Sequence, residues 1–335
     1  MSDPLNRLAP VVRLAPAKLN LTLAVIGRRP DGFHALHTIM APLGLADRLS
    51  LAPATGDHDT LHVSGPGLDR VALGPTADNL VLRAIAAARR SIGGARPAPA
   101  LAARLEKRIP IAAGLAGGSS DAAAAFDGAL EAWDAGGDSV LSAEERLRAA
   151  AQLGSDVPFF EAAGLALVEG RGERVTALPG AIRGEAPGIL LVVPRIALPT
   201  PAVFAAYAAS GVAINGATRL TSDHLAGELQ RGLTAGTLHD RAGILASAND
   251  LLPASAAVEP ALVPFRRALA RLTGRPIGLS GSGPALWVLY PSLAEAQAAE
   301  LVVRAAIEGR TLASPGDGPP FVAATTIVSR PPADA

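Results

Sequence analysis

Residues 110–125 read PIAAGLAGGSSDAAAA, and this stretch decides what kind of fold the chain can adopt. It begins with a proline, contains three glycines that allow tight backbone turns, and continues into a run of alanines that favours a helix. We expect Ser119 or Ser120 to be the N-cap of that helix. A glycine-rich loop at a helix N-terminus presents unpaired N–H groups and the positive end of the helix dipole, so phosphate is the expected ligand.

The loop belongs to neither common nucleotide-binding type, because the chain contains no GxxxxGK[ST] and the segment is not GxGxxG. Taken alone, it could be an ordinary glycine-rich connection before a capped helix. A second glycine-rich segment, GLSGSGPA at residues 278–285, is equally ambiguous, since a simple turn between strands has the same composition. Two such loops in one chain favour a shared anion site over coincidence.

The length and the residue pattern predict two domains that mix helices and strands. A chain of 335 residues exceeds one ordinary hydrophobic core. Residues 176–187 are rich in Pro and Gly, so we place an inter-domain crossover there, with domains at residues 1–180 and 181–330 and a cleft between them. Periodicity predicts a helix at about residues 79–90 and strands at residues 19–25, within 47–73, at 100–105 and at 188–193.

Composition excludes several classes of function. Lys plus Arg equals Asp plus Glu at 30 each, so there is no net charge to favour nucleic acid or an anionic membrane. The sequence has no cysteine, which removes disulfides and thiolate sites and suits a reducing compartment. No apolar run reaches the length of a signal peptide or a membrane span. We therefore expect a cytoplasmic protein that acts on a small molecule.

Two charged residues fit phosphoryl transfer, which requires an aligned hydroxyl, a carboxylate to orient it and a cation near the transferred group. Lys18 lies in PAKLNL among apolar neighbours, where a lysine is costly unless it is paired, and Asp156 lies in LGSDVPFF. Each also has an ordinary interpretation, Lys18 as a surface lysine and Asp156 as a turn or cap residue. Only two lysines occur among the 30 basic residues, which gives Lys18 more weight.

The two glycine-rich segments resemble the second and third characteristic motifs of the GHMP kinases, and Ala116 stands where that family often has a glycine. PAKLNL and LGSDVPFF resemble the diphosphocytidyl-methylerythritol kinases within the family. The resemblance covers most of residues 13–290. It implies an α+β fold in two parts, an N-terminal domain like the second domain of ribosomal protein S5 and a C-terminal ferredoxin-like domain. The active site is then expected in the cleft between them.

The resemblance also implies roles for individual residues. Asp156 would take the substrate proton, and Lys18 would hold the reacting hydroxyl. RPDGFH at residues 29–34 resembles a turn whose histidine, here His34, reads the cytosine edge and whose aromatic residue, here Phe33, stacks on the base. LPTPAVF at residues 198–204 resembles a substrate segment. By themselves, His34 reads as a solvated turn residue and Phe204 as core.

The implied binding sites can be given in full. The expected ATP-binding residues are Pro110, Ala112, Ala113, Gly114, Leu115, Ala116, Gly117, Gly118, Ser119, Ser120 and Asn79. The expected substrate-binding residues are Asn20, Phe33, His34, Thr200, Phe204, Gly281, Ser282 and Gly283. Mg²⁺ is expected at Ser119 or Ser120. A weaker candidate near the second domain is Asn249.

The function implied is ATP-dependent phosphorylation of the 2-hydroxyl of 4-diphosphocytidyl-2-C-methyl-D-erythritol, in the non-mevalonate pathway to isoprenoid precursors. The enzyme would be a monomer or a weak homodimer. Two alternatives share the glycine-rich loops, namely another GHMP kinase, such as a homoserine or mevalonate kinase, and a catalytically inactive binding protein with the same fold. DGFH, PTPAVF and PAKLNL favour the cytidyl substrate over the first, and the presence of both Lys18 and Asp156 argues against the second.

Overall fold

A computed structural model describes residues 10–68, 78–93, 97–133, 141–162, 164–211 and 216–328. The strands are β1 Val11–Arg28, β2 His34–Pro53, β3 Thr60–Ser64, β4 Leu101–Glu106, β5 Ala166–Gly170, β6 Arg174–Ala177, β7 Ile182–Arg183, β8 Gly188–Val193, β9 Leu233–Thr234, β10 Gly278–Leu279, β11 Leu286–Tyr290 and β12 Phe321–Thr326. The helices are α1 Leu80–Ser91, α2 Gly117–Ala132, α3 Ala143–Leu153, α4 Val157–Phe160, α5 Thr200–Ala209, α6 Ala217–Arg231, α7 Ala235–His239, α8 Ala242–Ser247, α9 Leu252–Val258, α10 Leu262–Thr273 and α11 Leu293–Glu308. A single 3₁₀ turn is described at Pro66–Leu68. The expected α+β class is confirmed.

The first sheet contains six strands in the order β3-β4-β2-β5-β6, with β1 paired to β2. Strand β1 runs antiparallel to β2 along its whole length, from Val11 opposite Leu51 to Arg28 opposite His34. Three register shifts interrupt this pairing, and two of them flank Lys18 and Asn20. Bulges of this kind redirect side chains and are common next to active sites. The predicted strand at residues 19–25 is thus the middle of a longer one.

The second sheet has the order β10-β11-β8-β12, and all its strand pairs are antiparallel. Its central strand β8 is buried at every residue, which confirms the strand predicted at residues 188–193. The predicted crossover at residues 176–187 is wrong in detail, because it includes the end of β6 and the short strand β7. The latter pairs in parallel with β9, so this segment uses its backbone N–H and C=O groups in sheet pairing rather than as a bare linker.

One hydrophobic core connects the two sheets. Leu19 and Leu21 of β1 belong to the same buried cluster as Ile189 and Leu191 of β8 and Trp287 of β11. The strands of the two sheets lie on either side of residue 180 along the chain, and the domain boundary there stays a prediction. Because β1 packs within this shared core, the site residues on β1 are held in a fixed relation to the second sheet.

The predicted helix at residues 79–90 is confirmed as α1, and Asn79 is its N-cap, accepting a 2.9 Å hydrogen bond from the Val81 N–H. The N-cap predicted for the next helix is wrong. Helix α2 begins at Gly117, and its N-cap is Ala116, whose backbone is left-handed at φ 52° and whose methyl group makes no capping bond. The backbone turn supplies the helix start, so Ser119 and Ser120 lie inside the first turn. No helix in the described part of the chain has the length and apolar character needed to cross a membrane.

Candidate active site

A cavity of about 470 Å³ lies where β1, the residue 110–116 loop, α4, α5 and the residue 279–285 loop meet. Its volume is in the range typical of small-molecule sites. It is lined by Lys18, Asn20, Leu23, Leu36, Met40, Val63, Asn79, Leu80, Leu105, Lys107, Pro110, Ile111, Ala112, Ala113, Gly114, Ala116, Gly117, Gly118, Ser119, Asp121, Asp156, Thr200, Phe204, Leu251, Gly281 and Ser282.

Most of the expected site residues therefore meet at one place. Those that line the cavity are Lys18, Asn20, Asn79, Pro110, Ala112, Ala113, Gly114, Ala116, Gly117, Gly118, Ser119, Asp156, Thr200, Phe204, Gly281 and Ser282. The expected residues that do not line it are Phe33, His34, Leu115, Ser120 and Gly283. Leu115 and Ser120 are buried beneath the loop, so they support its shape from behind.

Lys18 is held rigidly at the floor of the cavity. Its side chain is buried, and the Nζ atom donates hydrogen bonds of 2.7 Å to Asn20 Oδ1 and 2.8 Å to the Gly114 carbonyl. Asn20 in turn donates to Thr38 Oγ1 at 2.8 Å, so a second polar residue fixes the lysine's partner. Burial lowers the pKa of the Lys18 ammonium, and the nearby Asp156 carboxylate opposes that shift.

Asp156 Oδ2 lies 3.9 Å from Lys18 Nζ. The residue occupies the N-cap position of α4, but its side chain makes no capping bond, so the carboxylate is not committed to the helix. A third of the side chain is exposed, at 34%, in contrast to 4% for Lys18, so the carboxylate faces the open cavity. The pair therefore presents a fixed cation and an accessible hydrogen-bond acceptor on one wall, as the sequence led us to expect.

The phosphate-type loop is built from left-handed backbone. Ala112, Gly114 and Ala116 have φ values of 56°, 79° and 52°. This conformation costs an ordinary residue roughly 1–2 kcal/mol, so Ala112 and Ala116 carry strain that the surrounding structure must hold. A Cβ at Gly114 would lie 2.5 Å from the Ser280 carbonyl oxygen, and glycine is therefore required where the two glycine-rich loops touch.

The second glycine-rich loop contributes backbone and hydroxyl groups beside the lysine. A Cβ at Gly281 would lie 3.5 Å from Lys18 Nζ, so the absence of a side chain leaves space next to the ammonium. Ser282 Oγ is 3.0 Å from Thr200 Oγ1, and both line the cavity. Asn249, the weaker candidate, donates 2.9 Å hydrogen bonds to the carbonyls of Leu279 and Gly281, and it supports this loop rather than lining the cavity.

The aromatic group near the mouth is arranged differently from the predicted three-residue slot. The His34 ring stacks on Phe204, with ring centroids 5.0 Å apart and an angle of 23° between the planes, and it meets the edge of Tyr207. Phe33 points elsewhere, since its ring is 51% exposed and lies 5.4 Å beneath the Arg171 guanidinium. Burial lowers the pKa of His34, and the positive charge of Arg28 lowers it further.

Sequence reasoning missed a buried ion cluster beside the loop. Lys107 Nζ donates to Asp121 Oδ2 at 2.6 Å and to Asp47 Oδ2, and all three side chains are nearly inaccessible. Burial raises the pKa of Asp121 to about 7, although the attraction of Lys107 opposes this, whereas the two carboxylates raise the pKa of Lys107 against the effect of burial. A signal was available, because Lys107 is the second of only two lysines in the chain.

Two buried oxygens in the first turn of α2 lack hydrogen-bond partners. They are Ser120 Oγ and Asp121 Oδ1. Buried polar atoms without partners are rare, and such atoms beside a cavity are available to a ligand or ion. The described residues include no group of three or more His, Cys, Asp or Glu side chains that could hold a metal by themselves. Any cation here would take most of its ligands from water or from a bound phosphate.

Comparison with known proteins places this geometry in a family. Residues 79–164 match the N-terminal domain model of the GHMP kinases. A homoserine kinase from Cytophaga hutchinsonii has the same fold, with a TM-score of 0.67 at 16% identity, over 97% of this chain and 96% of that chain. At that identity, the likeness shows the fold alone.

Two comparisons are more specific. A 4-diphosphocytidyl-2-C-methyl-D-erythritol kinase from Pelotomaculum thermopropionicum is 36% identical over 287 residues, which cover 86% of this chain and 91% of that relative. The crystal structure of a 4-(cytidine 5'-diphospho)-2C-methyl-D-erythritol kinase matches at 30% identity with a TM-score of 0.63, over 94% of this chain and 99% of that chain. This chain therefore belongs to the family of 4-diphosphocytidyl-2-C-methyl-D-erythritol kinases, within the GHMP kinases.

Proposed function

We propose that this protein transfers the γ-phosphoryl group of ATP to the 2-hydroxyl of 4-diphosphocytidyl-2-C-methyl-D-erythritol, in the non-mevalonate route to isoprenoid precursors. The observation that carries the proposal is the Lys18–Asp156 pair, 3.9 Å apart, in the same cavity as the glycine-rich loop before α2. The family relationship supports the choice of reaction. The placement of the reacting groups on named residues is our inference from this geometry.

The reaction needs few groups from the protein. The 2-hydroxyl would lie between Lys18 and Asp156, with Asp156 accepting its proton as the oxygen attacks the γ-phosphorus. The bond from that phosphorus to the bridging oxygen then breaks, and ADP leaves. Lys18 would hold the hydroxyl oxygen in line and offset the developing negative charge. Its hydrogen bonds to Asn20 and Gly114 keep the ammonium in place without reorganisation.

The triphosphate would bind at the glycine-rich loop and the N-terminus of α2. Free N–H groups and the helix dipole favour anions there, and no side chain caps the helix in their place. Lys107 lines the same part of the cavity and adds a cation, which its two aspartate partners hold in position. Asn79 and Leu80, at the start of α1, would lie on the nucleotide side of the cavity.

We also propose that Mg²⁺ accompanies ATP, held by Ser119 or Ser120 with help from Asp121. The orphaned oxygens of Ser120 and Asp121 fit an ion that keeps several waters and binds phosphate oxygens. When bound, the ion would supply charge neutralisation on the β- and γ-phosphates. Mg²⁺ binding would also satisfy two buried oxygens that have no partner in the protein.

The cytosine would bind at the mouth, against Phe204, with His34 reading its edge. In the unliganded structure His34 itself covers Phe204, so the base would enter by taking over the stacking face that the imidazole now occupies. The His34 side chain would then turn to the edge of the base. A neutral imidazole offers one donor and one acceptor, and the lowered pKa of His34 favours that neutral form.

The deciding experiment compares phosphate transfer from ATP to the cytidyl compound, to its uridyl analogue and to homoserine. We expect turnover with the cytidyl compound and discrimination against the uridyl analogue in the parent protein. His34→Ala should lose that discrimination, because a buried cytosine group without its partner costs about 1–3 kcal/mol. Transfer to homoserine instead would assign the chain to the other kinase class. Absence of transfer to any of the three would leave a binding protein.

The finer details of setting are proposals as well. The absence of cysteine suits a reducing cytoplasm, where we propose the protein acts as a monomer or weak homodimer. Light scattering coupled to size-exclusion chromatography over a range of protein concentrations tests the oligomeric state. A stable dimer at nanomolar concentration would contradict this part of the proposal.

A further inference from the structure

The turn between β5 and β6, residues 170–173, contacts the loop that carries Asp156. Gly172 has a left-handed backbone at φ 126°, and a Cβ placed on it would lie 1.9 Å from the Ser155 carbonyl oxygen. The Gly172 backbone therefore packs directly against the residue before Asp156. Only glycine permits both this backbone conformation and this approach.

Arg171 joins the same loop to the substrate turn at residues 29–34. Its Nη2 atom donates a 3.1 Å hydrogen bond to the Ala151 carbonyl, in the last turn of α3, which leads through Gly154 to the Asp156 loop. Carbonyls in that position have no partner within the helix, and a cation there also favours the helix dipole. The other contact of the guanidinium is with the Phe33 ring, at 5.4 Å.

Glu173 makes a second connection to the substrate turn. Its Oε1 accepts a 2.8 Å hydrogen bond from Arg29 Nη1, and its Oε2 accepts a 2.6 Å bond from the Arg171 N–H. Arg29 continues the chain of contacts to Asp31, which accepts a 3.2 Å hydrogen bond from the Phe33 N–H. The residue after Phe33 is His34, whose ring stacks on Phe204.

We propose that the residue 170–173 turn acts as a clamp that holds the Asp156 loop and the substrate turn in one relative position, with Arg171 as its main positioning residue. The inference rests on the proposed function, because it assigns the two clamped segments to the two ends of one substrate. Arg171 does not line the cavity and touches no reacting atom. It acts through Ala151 on one side and Phe33 on the other.

A purely structural role for Arg171 makes a different prediction. In that case its removal lowers the unfolding temperature and leaves the kinetic constants of the folded enzyme unchanged. A positioning role changes the kinetics in a selective way. The ATP side of the site, formed by the residue 110–120 loop and α2, has no contact with the clamp in the interactions described above, so the Michaelis constant for ATP should stay at the parent value.

The variants are Arg171→Ala, Arg171→Lys and the matched control Arg174→Ala. Arg174 is close in sequence and has the same charge, but its side chain is 63% exposed and pairs only loosely with Glu169 at 3.5 Å. Each protein is measured in two ways. Steady-state kinetics give the turnover number and separate Michaelis constants for the cytidyl compound and for ATP. Hydrogen–deuterium exchange, without any ligand, reports backbone opening at residues 29–34 and 153–157.

For Arg171→Ala we expect kcat/KM for the cytidyl compound to fall roughly ten- to a hundredfold, because small displacements of reacting groups have effects of that size. Exchange should rise in both segments together. Arg171→Lys keeps the cation and should recover part of the loss, which also serves if the alanine variant does not fold. Arg174→Ala should match the parent in both measurements.

The proposal is overturned if Arg171→Ala matches Arg174→Ala in kinetics and exchange, or if exchange rises in only one of the two segments. An equal rise in the Michaelis constant for ATP would also overturn it, since the effect would then be general. The exchange measurement needs no substrate. If the parent does not phosphorylate the cytidyl compound, the proposed function fails, and the joint opening of the two segments still decides whether the clamp exists.

Discussion

Lys18 Nζ lies 3.9 Å from Asp156 Oδ2, and the two side chains differ in exposure, at 4% for the lysine and 34% for the aspartate. The lysine is fixed by hydrogen bonds to Asn20 and Gly114, and the aspartate is free to face a ligand. A rigid cation beside an accessible carboxylate is an arrangement suited to orienting a hydroxyl group for attack.

Asp156→Asn should reduce turnover roughly 100-fold or more, because the amide cannot accept the hydroxyl proton as a carboxylate does. ATP affinity and the unfolding temperature should remain near the parent values, since the Asp156 side chain makes no capping bond. The measurements are steady-state turnover and ATP binding by calorimetry. Near-normal turnover would show that Asp156 is not the orienting base.

Lys18→Arg should lower turnover roughly tenfold or more although the charge is kept. The larger planar guanidinium has to fit where Nζ now lies 2.7 Å from Asn20 Oδ1, beside the close approach of Gly281. Turnover should be measured together with the unfolding temperature, so that misplacement is separated from unfolding. A variant as active as the parent would make Lys18 a general electrostatic contributor only.

Phe204→Ala should weaken binding of the cytidyl compound roughly ten- to a hundredfold, because stacking contributes about 1–3 kcal/mol per base. The effect of Phe33→Ala should be smaller in this structure, since its exposed ring packs beneath Arg171 and does not line the cavity. ATP binding should be unchanged in both. Equal losses for the two variants would indicate that Phe33 moves onto the base when substrate binds.

Lys107→Met should destabilise the fold by about 3–5 kcal/mol, because it leaves the buried carboxylates of Asp47 and Asp121 without their cation. Adding Asp121→Asn should recover part of the loss. Urea unfolding of the single and double variants gives the coupling between the two sites. If the second substitution makes the protein still less stable by an additive amount, the carboxylates are not held by Lys107.

Glu161 should make stability depend on pH. Burial raises its pKa from the ordinary value near 4.5 to about 8, and the neighbouring Asp127 raises it further. The folded state therefore binds a proton that the unfolded state releases, so Glu161 lowers the unfolding free energy progressively between about pH 4.5 and pH 8.

Glu161→Gln removes this contribution. Relative to the parent, the variant should gain on the order of 1 kcal/mol at pH 8, a value reduced because the side chain is only partly buried, and close to nothing at pH 5. Urea unfolding at the two pH values measures the difference, with Glu144→Gln on the exposed start of α3 as the control. A gain that is equal at both pH values would exclude titration of Glu161 as the cause.

Short segments of sequence were sufficient for much of the site. The glycine-rich loop, the Lys18 and Asp156 motifs and the family are each readable within about ten residues, because such motifs place their demands on the local backbone. Left-handed φ values, helix starts and chain reversals limit which residues can occur at a given position. The same reasoning failed at α2, where Ala116 rather than a serine begins the helix, because the loop backbone and not a side chain makes the turn.

Contacts between distant segments depended on tertiary structure alone. The Lys107 cluster brings together residues from β2, the end of β4 and α2, and the clamp joins the β5–β6 turn to α3 and to the substrate turn. The orientation of Phe33 towards Arg171, away from Phe204, belongs to the same class. The sequence by itself determined the family, the reaction and the catalytic pair, since these are written in local motifs. Tertiary structure decided which other charges and rings face those motifs, because that depends on how the sheets and helices pack rather than on any one segment.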